Sequence, residues 1–189
     1  MKKALALFQI FLLLLAVSAC YDEEVTDIKS LLPEKGAVET DEEQPDENRI
    51  IFNAVEQLMA VSDCIIEGEV LDDGSPLSRH DELSDSDNDM VAFQVKVLNP
   101  IRGENIPEEI TILQDIGEIK YQKGEHIISF LYALEDVPNY MSVGREEANF
   151  RVVQVTYNEK TVDLVQCFSS QNMLQYDGKS LSDFLKLLK

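Results

Sequence analysis

The sequence predicts a mainly β domain with flanking helices: a five- to six-stranded antiparallel barrel, a short helix before the first strand and a C-terminal helix. Three observations point there. Six segments between residues 64 and 167 have strand length and either alternate apolar with polar residues or run apolar. Helical stripes occur only at the two ends of that stretch. No helical pattern separates the strands, so they pair through turns as antiparallel neighbours, and a sheet of this size avoids exposed edges by curling closed.

Over residues 50–61, Ile51, Val55, Leu58 and Met59 fall at i, i+4, i+7 and i+8, the stripe of a helix packing on a core, with Asp46 or Asn48 as its expected cap. Cys64 to Leu71 follows as a strand in which Gly68 permits a bend. Val91, Phe93, Val95 and Val97 alternate with Ala92, Gln94 and Lys96, which means one buried face and one wet face. Further strands are expected at Glu109 to Gln114, His126 to Leu134, Phe150 to Thr156 and Thr161 to Cys167. Turn signals stand between them at Gly103, Lys123-Gly124 and Asn158-Glu159. At the C-terminus Ser180 is placed to cap a helix with a Leu181, Phe184, Leu185 and Leu188 stripe, and Lys186 and Lys189 lie at its negative end.

The chain of 189 residues has room for one ordinary domain and appendages. Its formal charge of -20 repels a phosphate backbone, which excludes nucleic acid as an expected partner. With no Trp, 2 His and 3 Cys, few side chains are suited to catalysis.

Three segments are expected: a signal over 1–19, a tether over 20–49 and the barrel domain over 50–189. Lys2 and Lys3 precede an apolar run from Ala4 to Val17, the order of a secretory signal and too short for a comfortable membrane span. Val17-Ser18-Ala19-Cys20 resembles the lipobox of bacterial lipoproteins. That resemblance implies a Cys20 that carries fatty acyl chains, becomes the mature N-terminus and anchors the protein to the outer side of the cell membrane. The alternative is an ordinary signal cleaved near Ala19, with Cys20 left as a thiol. Residues 20–49 hold 3 basic and 11 acidic residues, and Pro33, Gly36 and Pro45 break any periodicity, so this stretch is expected to be a disordered, self-repelling spacer.

Val61-Ser62-Asp63-Cys64-Ile65-Ile66-Glu67-Gly68-Glu69-Val70, followed by Phe93-Gln94-Val95-Lys96-Val97-Leu98-Asn99-Pro100-Ile101-Arg102-Gly103, resembles the opening hairpin of OB-like barrels, among them tissue inhibitors of metalloproteinases and netrin-type modules. Lys123-Gly124-Glu125-His126-Ile127-Ile128-Ser129-Phe130-Leu131, and Tyr140 to Phe150 with Gly144, are similar to strands of bacterial lipoproteins of the same plan. The resemblance implies an OB-like fold. The inhibitors use the free amine of a mature N-terminal Cys set directly on the barrel, whereas Cys20 is expected to be acylated and lies some thirty residues before the fold, so inhibition is not carried over.

No GxGxxG loop, P-loop, GxSxG, HExxH or paired CxxC motif occurs, and the expectation is no catalytic residue and no cofactor. Asp72, Asp73, Asp81, Glu82, Asp85, Asp87 and Asp89 crowd around Arg79 and His80 in the first interstrand loop. Asp85, Asp87 and Asp89 have the spacing of the first half of a calcium loop, but Met90 stands where its Gly belongs and Lys96 where its closing Glu belongs. The expectation is therefore a solvated flexible loop and no metal, with those three residues the weak candidates. His126, at the head of an apolar strand, is expected to be a packing or edge residue. Outside the cytoplasm Cys64 and Cys167 could bridge the first and last strands, or remain two buried thiols.

The functional expectation is a non-enzymatic, membrane-anchored binding module. The alternative is an accessory or inhibitor-like protein that docks on another extracytoplasmic protein with the acidic loop or with Tyr140 to Glu147.

Overall fold

The computed structural model describes residues 29–35, 51–81, 86–115, 121–134, 139–144, 146–169 and 172–189. The signal over 1–19, Cys20, the helix-capping candidates Asp46 and Asn48, and Asp85 lie outside these residues. In chain order the elements are α1 (Val55–Val61), β1 (Cys64–Val70), β2 (Ser75–Asp81), β3 (Ser86–Arg102), β4 (Glu109–Asp115), β5 (His126–Ala133) and β6 (Asn139–Ser142). After a 3-10 turn at Glu146–Ala148 come β7 (Asn149–Tyr157) and β8 (Lys160–Cys167), a second 3-10 turn at Leu174–Tyr176, β9 (Lys179–Ser180) and α2 (Leu181–Leu187).

β1 is paired along both edges, to β3 on one side and β5 on the other, and this closes the ring β1-β3-β4-β6-β5. All six expected strands are present, and the ring is the OB-like barrel. It is not antiparallel throughout, because β4 and β6 pair in parallel. Strand directions cannot alternate around a ring of five, so one parallel pair is unavoidable. The ring also recruits β6, which residue periodicity did not signal although the Tyr140 to Phe150 resemblance touches it, while β7 and β8 lie outside it. β7 first pairs with β5 beside β6, then leaves with β8 as a hairpin whose turn residues Asn158 and Glu159 are both left-handed, at φ 49 and 63.

The alternation of β1 and β5 feeds two cores. Cys64, Ile66, Ile127 and Leu131 point into the barrel, where Phe93, Val95, Ile110 and Ile112 fill it. Ile65, Ile128 and Phe130 point outward and are covered by Val55 and Leu58 of α1, Phe150 and Val165 of the hairpin, and Phe184 of α2. Phe150 is central to this second core, its ring 6.1 Å from Phe130, 6.1 Å from Tyr176 and 4.7 Å from Phe184.

α2 is capped as its sequence indicates, the Asp183 N–H donating to Ser180 Oγ at 3.2 Å. α1 starts later than its stripe suggests. Ala54 occupies the N-cap without a side-chain cap, and Ile51 is 52% exposed while Phe52 enters the core. Its first N–H, of Val55, donates to Tyr176 Oη at 3.2 Å, and ahead of the N-cap the Asn53 N–H donates to Gln57 Oε1 at 2.8 Å.

Two expectations about irregular segments are corrected. Residues 75–81 and 86–92 are paired as a β2–β3 hairpin from Ser75↔Ala92 to Asp81↔Ser86, where a flexible loop was expected. Backbone pairing to the long β3 supplies the order that its side chains do not signal. Residues 29–35, within the stretch expected to be a free tether, are docked on the domain. Lys35 Nζ is 2.8 Å from Asp177 Oδ2 and donates to the Ser169 carbonyl at 2.6 Å, and Gln166 Nε2 donates to the Pro33 carbonyl at 2.8 Å.

Gly68 sits at a register shift of the β1–β3 pair, where an added Cβ would lie 2.7 Å from Val95 Cγ1 and 3.0 Å from the Lys96 carbonyl oxygen. The bulge bends β1 inward and brings it against β3 closer than any side chain allows. Gly68→Ala is expected to lower stability by about 1–3 kcal/mol, the cost of overpacking a close contact. The urea midpoint, read at unchanged slope, measures it.

Candidate functional site

The head of β5 gathers charge from four strands. The Lys123-Gly124 turn delivers Glu125 and His126 as consecutive residues, and strand alternation sends them to opposite faces. His126 Nε2 lies 2.9 Å from Glu67 Oε1 on β1, and the other oxygen of Glu67 accepts from Asn99 Nδ2 on β3 at 3.1 Å. Glu125 Oε1 lies 2.6 Å from Arg151 Nη2 on β7, and the Arg151 guanidinium rests over the Phe168 ring at 4.7 Å. All four side chains are partly exposed: 31% for His126, 12% for Glu67, 28% for Arg151 and 12% for Glu125. The imidazole is thus held by a carboxylate on one face of the strand, and a guanidinium stacked on an aromatic ring is held by another carboxylate on the opposite face.

Behind it, a polar layer is buried among the rings of the barrel end. Tyr121 donates to Asn149 Oδ1, Ser129 Oγ donates to the same oxygen at 2.9 Å, and Asn149 Nδ2 donates to Ser142 Oγ at 3.0 Å. Tyr121 packs edge-on against Phe93 at 5.3 Å and Phe168 at 5.8 Å. Mutual pairing is what allows Tyr121, Ser129 and Asn149 to be almost wholly buried. Gln114 belongs to the inward-facing set of β4 with Ile110 and Ile112, and its Oε1 is buried with no partner.

The sequence singled out other residues. Cys64 and Cys167 are free thiols, and the possible bridge between them is not formed, because Cys64 points into the barrel while Cys167 lies in the second core on a strand outside the ring. Burial pushes the Cys64 thiol up to about 11, with the Asp63 carboxylate adding to the effect, and burial pushes Cys167 up to about 12. Asp87 and Asp89 run in extended backbone opposite His80 and Ser78 rather than around a calcium-type loop. Among the described residues no three His, Cys, Asp or Glu groups come together as a metal site. His126 is half-buried at the head of β5, paired with Glu69 on β1 and tied to Glu67, and so is not at a sheet edge. The Tyr140 to Glu147 stretch is less available for docking than its sequence suggests: Tyr140 is half-buried, and Glu147 is buried, accepting from Asn172 Nδ2 at 3.2 Å.

No protein-family model, curated protein or solved structure matches the chain. Sequence reasoning missed Tyr121, Asn149 and Arg151 as members of one constellation. The available signal was Ser129, a lone hydroxyl inside the apolar run Ile127 to Leu131, which marks an inward position that needs a buried partner.

Asn149→Ala is expected to destabilise the protein by about 1–3 kcal/mol, since it removes the acceptor that Tyr121 and Ser129 share. Paired with Tyr121→Phe in a double-mutant cycle, the two losses fall short of adding. The thiols yield a second expectation. Only a thiolate attacks, so neither Cys reacts with a maleimide in the folded protein at neutral pH, and both react in urea. Folded pKa values raised above the ordinary 9.0 also fix the pH dependence: stability is unaffected by these groups below pH 9 and falls as pH rises from 9.0 towards about 11 and 12. Denaturant midpoints across that window check the sign.

Proposed function

We propose that the protein is a lipid-anchored, extracytoplasmic binding module that grips a protein partner with the outside of its barrel and catalyses no reaction. The observation that carries this reading is the filled ring: Phe93, Val95, Ile110, Ile112, Ile127 and Leu131 occupy the space that a ligand-carrying barrel leaves open. Recognition then belongs to the outer surface. The β2–β3 hairpin, whose sequence carries Asp81, Glu82, Asp85, Asp87 and Asp89, suits a protein with positive potential, and the Glu67–His126 and Glu125–Arg151 pairs at the head of β5 add partly exposed polar groups. Opposite charges steer encounter and set specificity more than they add raw affinity. The anchor rests on the lipobox-like Val17-Ser18-Ala19-Cys20 after the apolar run.

A docking role on one extracytoplasmic enzyme, as an accessory or inhibitor-like protein, is the narrower version of the same reading. The likeness to tissue inhibitors of metalloproteinases and netrin-type modules supports it at the level of an OB-like barrel preceded by a short helix, and fold alone does not transfer an activity.

Cell fractionation tests the anchor: Cys20→Ala is expected to release the processed protein from the membrane, and a processed variant that stays bound overturns the lipid reading. Crosslinked capture from native membranes tests recognition. Asp85→Asn, Asp87→Asn and Asp89→Asn together are expected to reduce the captured partner about tenfold and to flatten its salt dependence. Capture that is equal for both proteins at every salt concentration removes the acidic hairpin from the interface.

A further inference from the structure

We propose that the side of the domain formed by residues 29–35, the 174–176 turn and α2 is the face laid against the bilayer, with the anionic lipid surface as its partner. The proposal rests on the lipid-anchor reading above and adds an orientation to it. Residues 29–35 shorten the tether. Lys35 is held by Asp177 and the Ser169 carbonyl, Pro33 by Gln166, and Lys29 lies against Gly178, where an added Cβ would be 2.6 Å from Lys29 Cγ. The first docked residue after the lipidated one is therefore Lys29, nine positions on, and not one beyond residue 49. From Cys20 to Lys29 a fully extended chain reaches about 30 Å at most. An anchor that short brings the side of the domain that it leaves from to the membrane.

The chemistry of that side fits. In a chain of net charge -20, residues 29–35 and 172–189 carry Lys29, Lys35, Lys179, Lys186 and Lys189 against only Glu34, Asp177 and Asp183. The rest of the protein is repelled by anionic headgroups, and this part is not. Its exposed large apolar residues are Leu31 at 41%, Leu174 at 42% and Leu187 at 41%, one each from the docked segment, the turn and α2. Those elements form one body, since the Tyr176 and Phe184 rings meet at 5.6 Å and Gly178 N–H donates to the Val165 carbonyl at 2.9 Å. Scattered leucines among lysines with apolar stems are the composition of an interfacial contact.

The test uses the full lipidated protein in vesicles of phosphatidylethanolamine and phosphatidylglycerol that contain a headgroup-quencher lipid. A thiol-reactive fluorophore is placed at Lys186→Cys on α2 or at Ser75→Cys on β2, and the buried native thiols stay unlabelled under folding conditions. Flotation comes first: a protein that does not float with the vesicles overturns the anchor reading and the orientation with it. For the floating protein, quenching is expected to be several-fold stronger at residue 186 than at residue 75. Equal or reversed quenching overturns the orientation alone. Lys35→Glu is expected to free the docked segment and shrink the difference while the protein still floats and melts cooperatively. A difference unchanged by Lys35→Glu overturns the docked segment as the cause.

Discussion

Everything in this fold hangs on the β1–β5 seam. Each of these strands is paired along both edges and buried on both faces, so the same residues close the barrel and found the second core. Cys64 and Ile66 look inward, while Ile65 between them looks out to the helices. A one-residue slip would exchange the two sets and ruin both cores at once. Register is therefore fixed here more firmly than a half-wet sheet could fix it. The price is a strand with little polar relief, and the relief falls where burial ends, at Glu67 on β1 and at His126, the first residue of β5. The contact between them lies on the outward face of the seam, beyond Ile65 and Ile128.

Much of this could be read in advance, for identifiable reasons. The six strands with apolar inward faces were legible because alternation is a direct imprint of burial. α2 was legible through Ser180 and its stripe. β6 was not, since its four residues are all half-buried and carry no alternation. β2 was hidden by its composition: Ser75, Pro76, Ser78, Arg79, His80 and Asp81 describe an edge strand that takes its order from β3's backbone. The docking of residues 29–35 escaped because it depends on one lysine and two backbone carbonyls, a pattern with no period. The polar layer escaped for a related reason. Tyr121, Ser129, Ser142 and Asn149 come from four separate stretches of chain, and only closure of the ring shows that they meet.

The charge distribution acquires meaning only once the fold is known. As a sequence the chain is acidic overall, with a formal charge of -20. Folded, the docked segment brings Lys35 onto Asp177 beside the C-terminal helix that carries Lys186, so residues far apart in sequence share one part of the fold. A net charge of -20 keeps the protein apart from other acidic surfaces.

An odd ring imposes one further consequence. Its parallel pair, β4 with β6, cannot be joined by a hairpin, and β5 must be laid down before β6 can enter. β6 then continues into β7 along the same edge of β5, so one stretch of chain passes from the barrel to the outer hairpin. The passage is made at Gly144, where an added Cβ would lie 2.8 Å from Phe52 Cδ2, and Phe52 leads directly into α1. Barrel, hairpin and first helix therefore meet at one tightly packed point, and none can shift without the others. A barrel built this way holds the residues of its wall at fixed separations.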